Sequence, residues 1–193
     1  MGTDKARLAL GERTLIEHAL DSLQPLVERT FLASGSEPRY AELGRPIVLD
    51  RGPAFGPLAG LEAGLAAALD AGGANALVCV LACDMPFAST ERFEALLVRR
   101  ERDELDACVA QSVSGSEPLF AVYSVRLLAA VRAALNCGER RMNAFERFAV
   151  ADGSAVRVGR LALLDLEATN LNTQADLAAA RARFGDSNKR ASA

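Results

Sequence analysis

At 193 residues, half of them apolar, the chain is long enough for one domain whose core hides roughly 70% of the unfolded surface. A formal net charge of -3 lacks the basic excess of an electrostatic nucleic-acid binder. No apolar run reaches the ~18 residues of a membrane span; the longest, ALVCVLAC at 76–83, is strand-sized, so neither nucleic acid nor membrane is an expected partner.

In chain order, Thr14-Leu-Ile-Glu17 has the spacing of a capping box, and Leu15, Ile16, Ala19, Leu20 and Leu23 follow with helical period. RTFLAS at 29–34 and PIVLD at 46–50 read as short strands. A helix begins at Pro57 or Leu58, carries Leu58, Leu61, Leu65 and Leu69 on one face, and stops at Gly72-Gly73. Residues 76–82 are apolar at every position, which suits a strand covered on both faces. A helix near 89–102, strands near 106–111 and 118–123, and a helix near 125–135 come next. Residues 142–148 look helical, two short strands are expected between 155 and 166, and Thr173 caps a final helix over 174–184. The expected division is one domain over 1–184 and a polar, disordered tail over 185–193. Alternating strands and helices predict an α/β fold with a mainly parallel sheet and helices on both faces.

Chemistry-bearing candidates stand mostly at strand ends. Asp84 follows the apolar strand, where an acid can hold a hard cation against substrate phosphates; an Asp before Met-Pro also suits a turn or cap, and the local sequence leaves both open. Asp50 ends PIVLD with the same ambiguity. FGPLAGLEAGL at 55–65 sets glycines and a proline before a helix, giving either an anion-binding or base-reading backbone or a plain helix start. Asn170 and Asn172 precede the last capped helix, and Gly138-Glu139-Arg140-Arg141 is either a solvated turn or an anion clamp. All but two of the 22 basic residues are arginine, the exceptions being Lys5 and Lys189, so a compact ammonium at Lys5 draws notice. A single histidine, His18, makes Ser-His or Cys-His catalysis a poor fit. The four cysteines (79, 83, 108 and 137) form no CxxC pair and read as reduced thiols. With no secretory h-region at the N-terminus, the expected location is the cytoplasm.

Six stretches in order, MGTDK at 1–5, Asp50, GPLAGL at 56–61, CDMPF at 83–87, GERR at 138–141 and NLNTQADL at 170–177, resemble the molybdenum cofactor guanylyltransferases, the MobA family of the nucleotidyltransferase fold. Glu117-Pro118 stands where the family pattern has a QP-like pair. The larger departure is at the start: the family's first strand, central in its sheet, and its LAGG phosphate loop precede the motif at which this chain opens.

The resemblance implies a Rossmann-like nucleotidyltransferase fold and transfer of GMP from GTP to molybdopterin cofactor, with pyrophosphate released. It implies that Lys5 and Asp84 are catalytic, with Asp84 holding Mg2+. Asp50, Gly56, Pro57, Leu58 and Gly60 would bind the nucleoside end, with Ser34 beside them, and Asn170, Asn172, Arg140 and Arg141 would face the pterin cofactor or its phosphate. Molybdoenzymes or other cofactor-biosynthesis proteins are the implied partners. The alternatives are a related transferase using CTP or a sugar phosphate, and a non-catalytic cofactor-binding protein. Without the strand and phosphate loop, the chain as it starts at Met1 is expected to be a poor transferase and a marginal fold.

Overall fold

The computed structural model describes residues 4–50 and 56–191, with side chains through 184. Met1–Thr3 of the MGTDK motif, Phe55 and the last two residues of the expected tail therefore lie outside the described residues. A short hairpin, β1 (Ala9–Leu10) and β2 (Arg13–Thr14), leads directly into α1 (Leu15–Leu23). The capping box forms as its spacing predicts: the Glu17 carboxylate accepts hydrogen bonds from the Thr14 N–H at 2.7 Å and the Thr14 hydroxyl at 2.6 Å.

Two short strands, β3 (Leu32–Ala33) and β4 (Ile47–Val48), pair in parallel. Then come α2 (Pro57–Gly72), β5 (Leu77–Leu81), α3 (Thr90–Arg102), β6 (Ala107–Ser112), β7 (Gly115–Ser124), α4 (Leu128–Asn136), β8 (Val158–Ala162) and α5 (Gln174–Ala191). The segment 142–147 is a 3-10 turn rather than a full helix. Of the two strands expected between 155 and 166 only β8 forms, Ala155 making a single bridge to Ala149.

The main sheet runs β5-β7-β6-β8. β7 is antiparallel to both β5 and β6, and β8 is parallel to β6. The α/β fold is as expected, but the described pairing is mixed rather than mainly parallel. The reason is local: only two residues separate β6 from β7, and so short a link can join antiparallel neighbours only. The last helix also runs past Phe184 to Ala191, where a disordered tail was expected. Extending an established helix is far easier than nucleating one, so weak helix formers at 185–188 are carried along.

Helices cover both faces of this sheet. On one, Leu58, Leu61 and Leu65 of α2 pack with Val131 and Ala134 of α4 over Val78 and Val80. On the other, Phe93 and Leu96 of α3 meet Cys79, Leu81 and Phe120, with Phe93 and Phe120 rings 4.6 Å apart. Each such fully buried side chain contributes about 1.5–3 kcal/mol. Between β3 and β5 the strands do not join: a cavity of about 930 Å³ separates the two sheets, lined along its length by α2 from Gly56 to Gly72.

Candidate active site

Several of the sequence candidates meet this cavity where strands stop. β5 finishes at Leu81, the chain turns through Ala82 and Cys83, and Asp84 emerges half-buried at the cavity wall. The Asp84 carbonyl accepts a hydrogen bond from Leu171 N–H at 2.9 Å, tying the Asn170–Asn172 segment to the end of β5. Opposite, Lys5 opens a one-turn 3-10 segment capped by Asp4, and its Nζ donates to Asn172 Oδ1 at 2.8 Å. Lys5 thus meets Asn172, whose neighbour Leu171 is tied to the Asp84 backbone.

Asp50 comes from the end of β4, its N–H held by Gly35 O at 2.9 Å. The start of α2 lies against it. A Cβ on Gly60 would sit 3.8 Å from Asp50 Oδ1 and 3.7 Å from Ala33 Cβ, so the absence of a larger side chain lets the helix approach. Gly56 precedes the helix with φ 69 and ψ -170, a conformation open essentially to glycine alone, and abuts the Arg140 carbonyl. The GPLAG and GERR stretches therefore adjoin.

Electrostatics follow the burial. Desolvation raises the Asp50 carboxyl above its ordinary value. Burial, reinforced by the Asp84 carboxylate, pushes the Cys83 thiol up to about 11, and burial alone does the same to Cys79. With both values well above neutral, burial holds these thiols in their protonated form at neutral pH.

No three His, Cys, Asp or Glu residues converge as a metal cage among the described residues. Asp84, a lone strand-end carboxylate, and the Lys5 ammonium both line the cavity, a donor set of the kind that binds a hard cation only together with substrate phosphates.

The model of the MobA-like NTP transferase domain matches residues 1–152. The chain belongs to that family. A probable molybdenum cofactor guanylyltransferase of Mycobacterium marinum is 35% identical over 183 residues, 93% of this chain and 86% of the relative. Another, of Carboxydothermus hydrogenoformans, is 35% identical over 125 residues, 64% of this chain but only 58% of the relative's length. The crystal structure of molybdopterin-guanine dinucleotide biosynthesis protein A from Archaeoglobus fulgidus superposes with a TM-score of 0.73 over 96% of this chain and 92% of that one, at 24% identity, which establishes the nucleotidyltransferase fold.

Within this family fold the sequence candidates divide. Lys5, Asp50, Gly56, Pro57, Gly60 and Asp84 line one cavity, and Asn172 joins it through Lys5. The Leu58 side chain is wholly buried in the α2 core, so only its backbone is available there. The Ser34 hydroxyl is also spent: buried, it donates to Glu37 O at 2.6 Å and closes a turn. Asn170 is half-buried, and Arg140 and Arg141 are exposed, with Arg140 reaching the site through its backbone.

Neighbouring side chains hold Lys5 and Asn172 in place, and one of them, Tyr40, carried little signal in the sequence. The Tyr40 hydroxyl donates to both Asp4 carboxylate oxygens, at 2.9 and 2.8 Å, and the Arg7 and Arg39 guanidinium groups lie 5.4 Å from its ring centroid. Burial and Asp4 push Tyr40 up to about 12, so it remains a donor across the physiological range and fixes the residue before Lys5. Asp4 adjoins Lys5 in the motif and was findable. Tyr40, held at φ 68, was not. Asp176, which accepts from the Asn172 and Thr173 N–H groups at 2.9 and 2.7 Å, sets the asparagine's backbone.

Proposed function

We propose that this chain is a molybdenum cofactor guanylyltransferase acting in the cytoplasm, transferring GMP from GTP to the terminal phosphate of molybdopterin cofactor. A phosphate oxygen of the acceptor attacks the α-phosphorus of GTP, the α–β phosphoanhydride bond breaks, and pyrophosphate leaves with the electron pair. The observation that carries the reading is that Lys5, bonded to Asn172, lines one cavity together with Asp84, Asp50 and the start of α2.

The Lys5 ammonium neutralises charge on the phosphates, and Asn172 Oδ1 orients it. Asp50 and the backbone of Gly56–Gly60 bind the nucleoside end, and the Arg140-Arg141 turn beside Gly56, together with Asn170, faces the pterin side. Asp84 would hold Mg2+, which supplies charge stabilisation at the reacting phosphates. Substrate and acceptor are held side by side, so no covalent enzyme intermediate is needed. Molybdoenzymes that take up the guanine dinucleotide form are the expected clients.

Competition titration with GTP, CTP and ATP tests the assignment. GTP should win, because a site whose hydrogen bonds are committed to one base leaves its own polar groups unpaired with another. Equal affinity for CTP would move the chain to a cytidylyl or sugar-phosphate chemistry. Nucleotide binding without pyrophosphate release on addition of molybdopterin cofactor would make it a binding protein.

A further inference from the structure

Tyr40 stands between the two segments that carry Lys5 and Asp84. Its hydroxyl donates to both oxygens of the Asp4 carboxylate, at 2.9 and 2.8 Å, and Asp4 is the residue before Lys5. Its buried ring belongs to a cluster with Ala6 and Leu32 against which Cys83 packs, and Cys83 is the residue before Asp84. The half-buried Cys83 thiol lies within electrostatic reach of Asp84, Asp4 and Lys5 together. One side chain, entering from a third segment, thus adjoins both.

The backbone bends to put it there. Tyr40 precedes the 3-10 turn Ala41–Leu43 at φ 68 and ψ 27, a left-handed conformation that a bulky aromatic residue seldom adopts and that persists only where its surroundings fix it. Those surroundings are present. Leu43 N–H donates to the Tyr40 carbonyl at 3.0 Å, Arg7 pairs with Glu42 at 2.6 Å, and Arg39 donates to Ser34 O at 3.2 Å while its guanidinium, like that of Arg7, lies over the Tyr40 ring. The hydroxyl therefore holds Asp4 from a fixed place. Asp4 in turn accepts the Ala6 N–H at 3.1 Å and caps the turn that Lys5 opens.

A lysine needs such a hold at its base. Its four-carbon stem is flexible, so the ammonium has a defined position only when both ends of the side chain are fixed, and Asn172 fixes the tip alone. A substrate phosphate that competes with Asn172 for the ammonium weakens that hold. The backbone beside Asp4 then decides where the charge stands.

We infer that Tyr40 is a positioning residue: its hydroxyl, acting through Asp4, fixes where the Lys5 ammonium stands relative to Asp84, whose own segment the Tyr40 ring supports. The catalytic consequence rests on the transferase reading; the ordering of Lys5 does not, and the two are measured apart.

Tyr40→Phe keeps the ring and removes only the hydroxyl. Because the chain has two lysines, Lys5 and Lys189, 13C-lysine labelling gives two sets of side-chain signals, which Lys5→Ala assigns. In nucleotide-free protein, 13C relaxation should show the Lys5 stem ordered in the parent and markedly more mobile in Tyr40→Phe. With GTP and molybdopterin cofactor, kcat should fall about tenfold while KM for GTP changes by less than about threefold, since a misplaced charge is missed most in the transition state. In a Lys5→Ala background the same substitution should cost less than about twofold, a non-additivity that a general loosening of the fold does not produce. Should Tyr40→Phe melt below the assay temperature, Asp4→Asn, which retains an acceptor for the Ala6 N–H, reads the same hold from its other end. Unchanged Lys5 relaxation, or a kcat loss that persists in full in the Lys5→Ala background, overturns the inference. A parent chain without GTP-dependent turnover overturns the transferase reading alone, and the relaxation result then decides whether Tyr40 holds Lys5.

Discussion

Replacing Gly56 by alanine tests whether α2 is aimed at the site by a backbone conformation that only glycine holds. At φ 69 and ψ -170 an L-residue is strained by on the order of 1–3 kcal/mol. The new Cβ would stand 3.5 Å from the Arg140 carbonyl oxygen, an ordinary contact, so steric conflict adds little to the strain. For a chain of this size each kcal/mol moves the melting temperature by about 2–4 °C, so a fall of roughly 2–12 °C is expected. Gly64→Ala in the same helix is the internal control. Its added methyl meets nothing within 4 Å, and removing a mid-helix glycine should stabilise by about 0.5–1 kcal/mol, raising the melting temperature by roughly 1–4 °C. Calorimetry of the two variants beside the parent reads both signs in one experiment. Gly56→Ala melting at or above the parent temperature would refute the argument that this glycine is conformationally required.

Asp84→Asn should leave the circular dichroism spectrum intact while pyrophosphate release falls roughly a hundredfold or more, because a ligand charge at the reacting phosphates is lost; near-normal turnover sinks the metal assignment. Asn172→Ala should lower kcat/KM by about three- to tenfold by freeing Lys5, with Asn172→Gln recovering part of the loss; no change would separate Asn172 from Lys5. The folded state disfavours charged Asp50, so it binds that proton more tightly than the unfolded chain does. Its contribution to stability is therefore present at low pH and lost as pH rises through the raised value. Asp50→Asn should accordingly stabilise at pH 7 and confer no gain once the parent's Asp50 is protonated, as parallel melts across pH will show. Iodoacetamide at pH 8 should modify exposed Cys137 first, with Cys79 and Cys83 slow because their thiols ionise only near 11; peptide mapping that finds Cys83 labelled first would contradict this.

How much of this was legible depended on whether the cause was local. The Thr14–Glu17 box and the Pro57 start of α2 are short-range devices, one of hydrogen bonds and one of a fixed backbone angle, and each formed where its residues stand. Asp50, Asp84 and the GPLAG turn stood out as candidates because they sit at strand ends and before a helix, and Lys5 because it is one of only two lysines; the cavity lining they share is a property of the fold. Pairing direction was misjudged although the two-residue link between β6 and β7 already forbade a parallel crossover. For Ser34 and Leu58 only the fold shows a hydroxyl donated to Glu37 and a leucine side chain turned into the core. Tyr40 lay beyond reach because its role depends on a left-handed backbone and a partner 36 positions away.

The bond from Lys5 to Asn172 spans 167 positions, and α5 reinforces it by pinning the first hairpin: Arg181 donates twice to Ala9 O, at 2.9 and 3.1 Å, and Phe184 meets His18 edge-on at 5.0 Å. During synthesis at ~5–20 residues per second, Lys5 therefore waits roughly 10–30 s for its partner to be made. The Lys5 ammonium is thus set in place only after the whole main sheet has been made. A nascent chain stalled before residue 172 would carry most of the described core without this contact, so the proposed phosphate site should assemble as a late step, after the bulk of the sheet has formed.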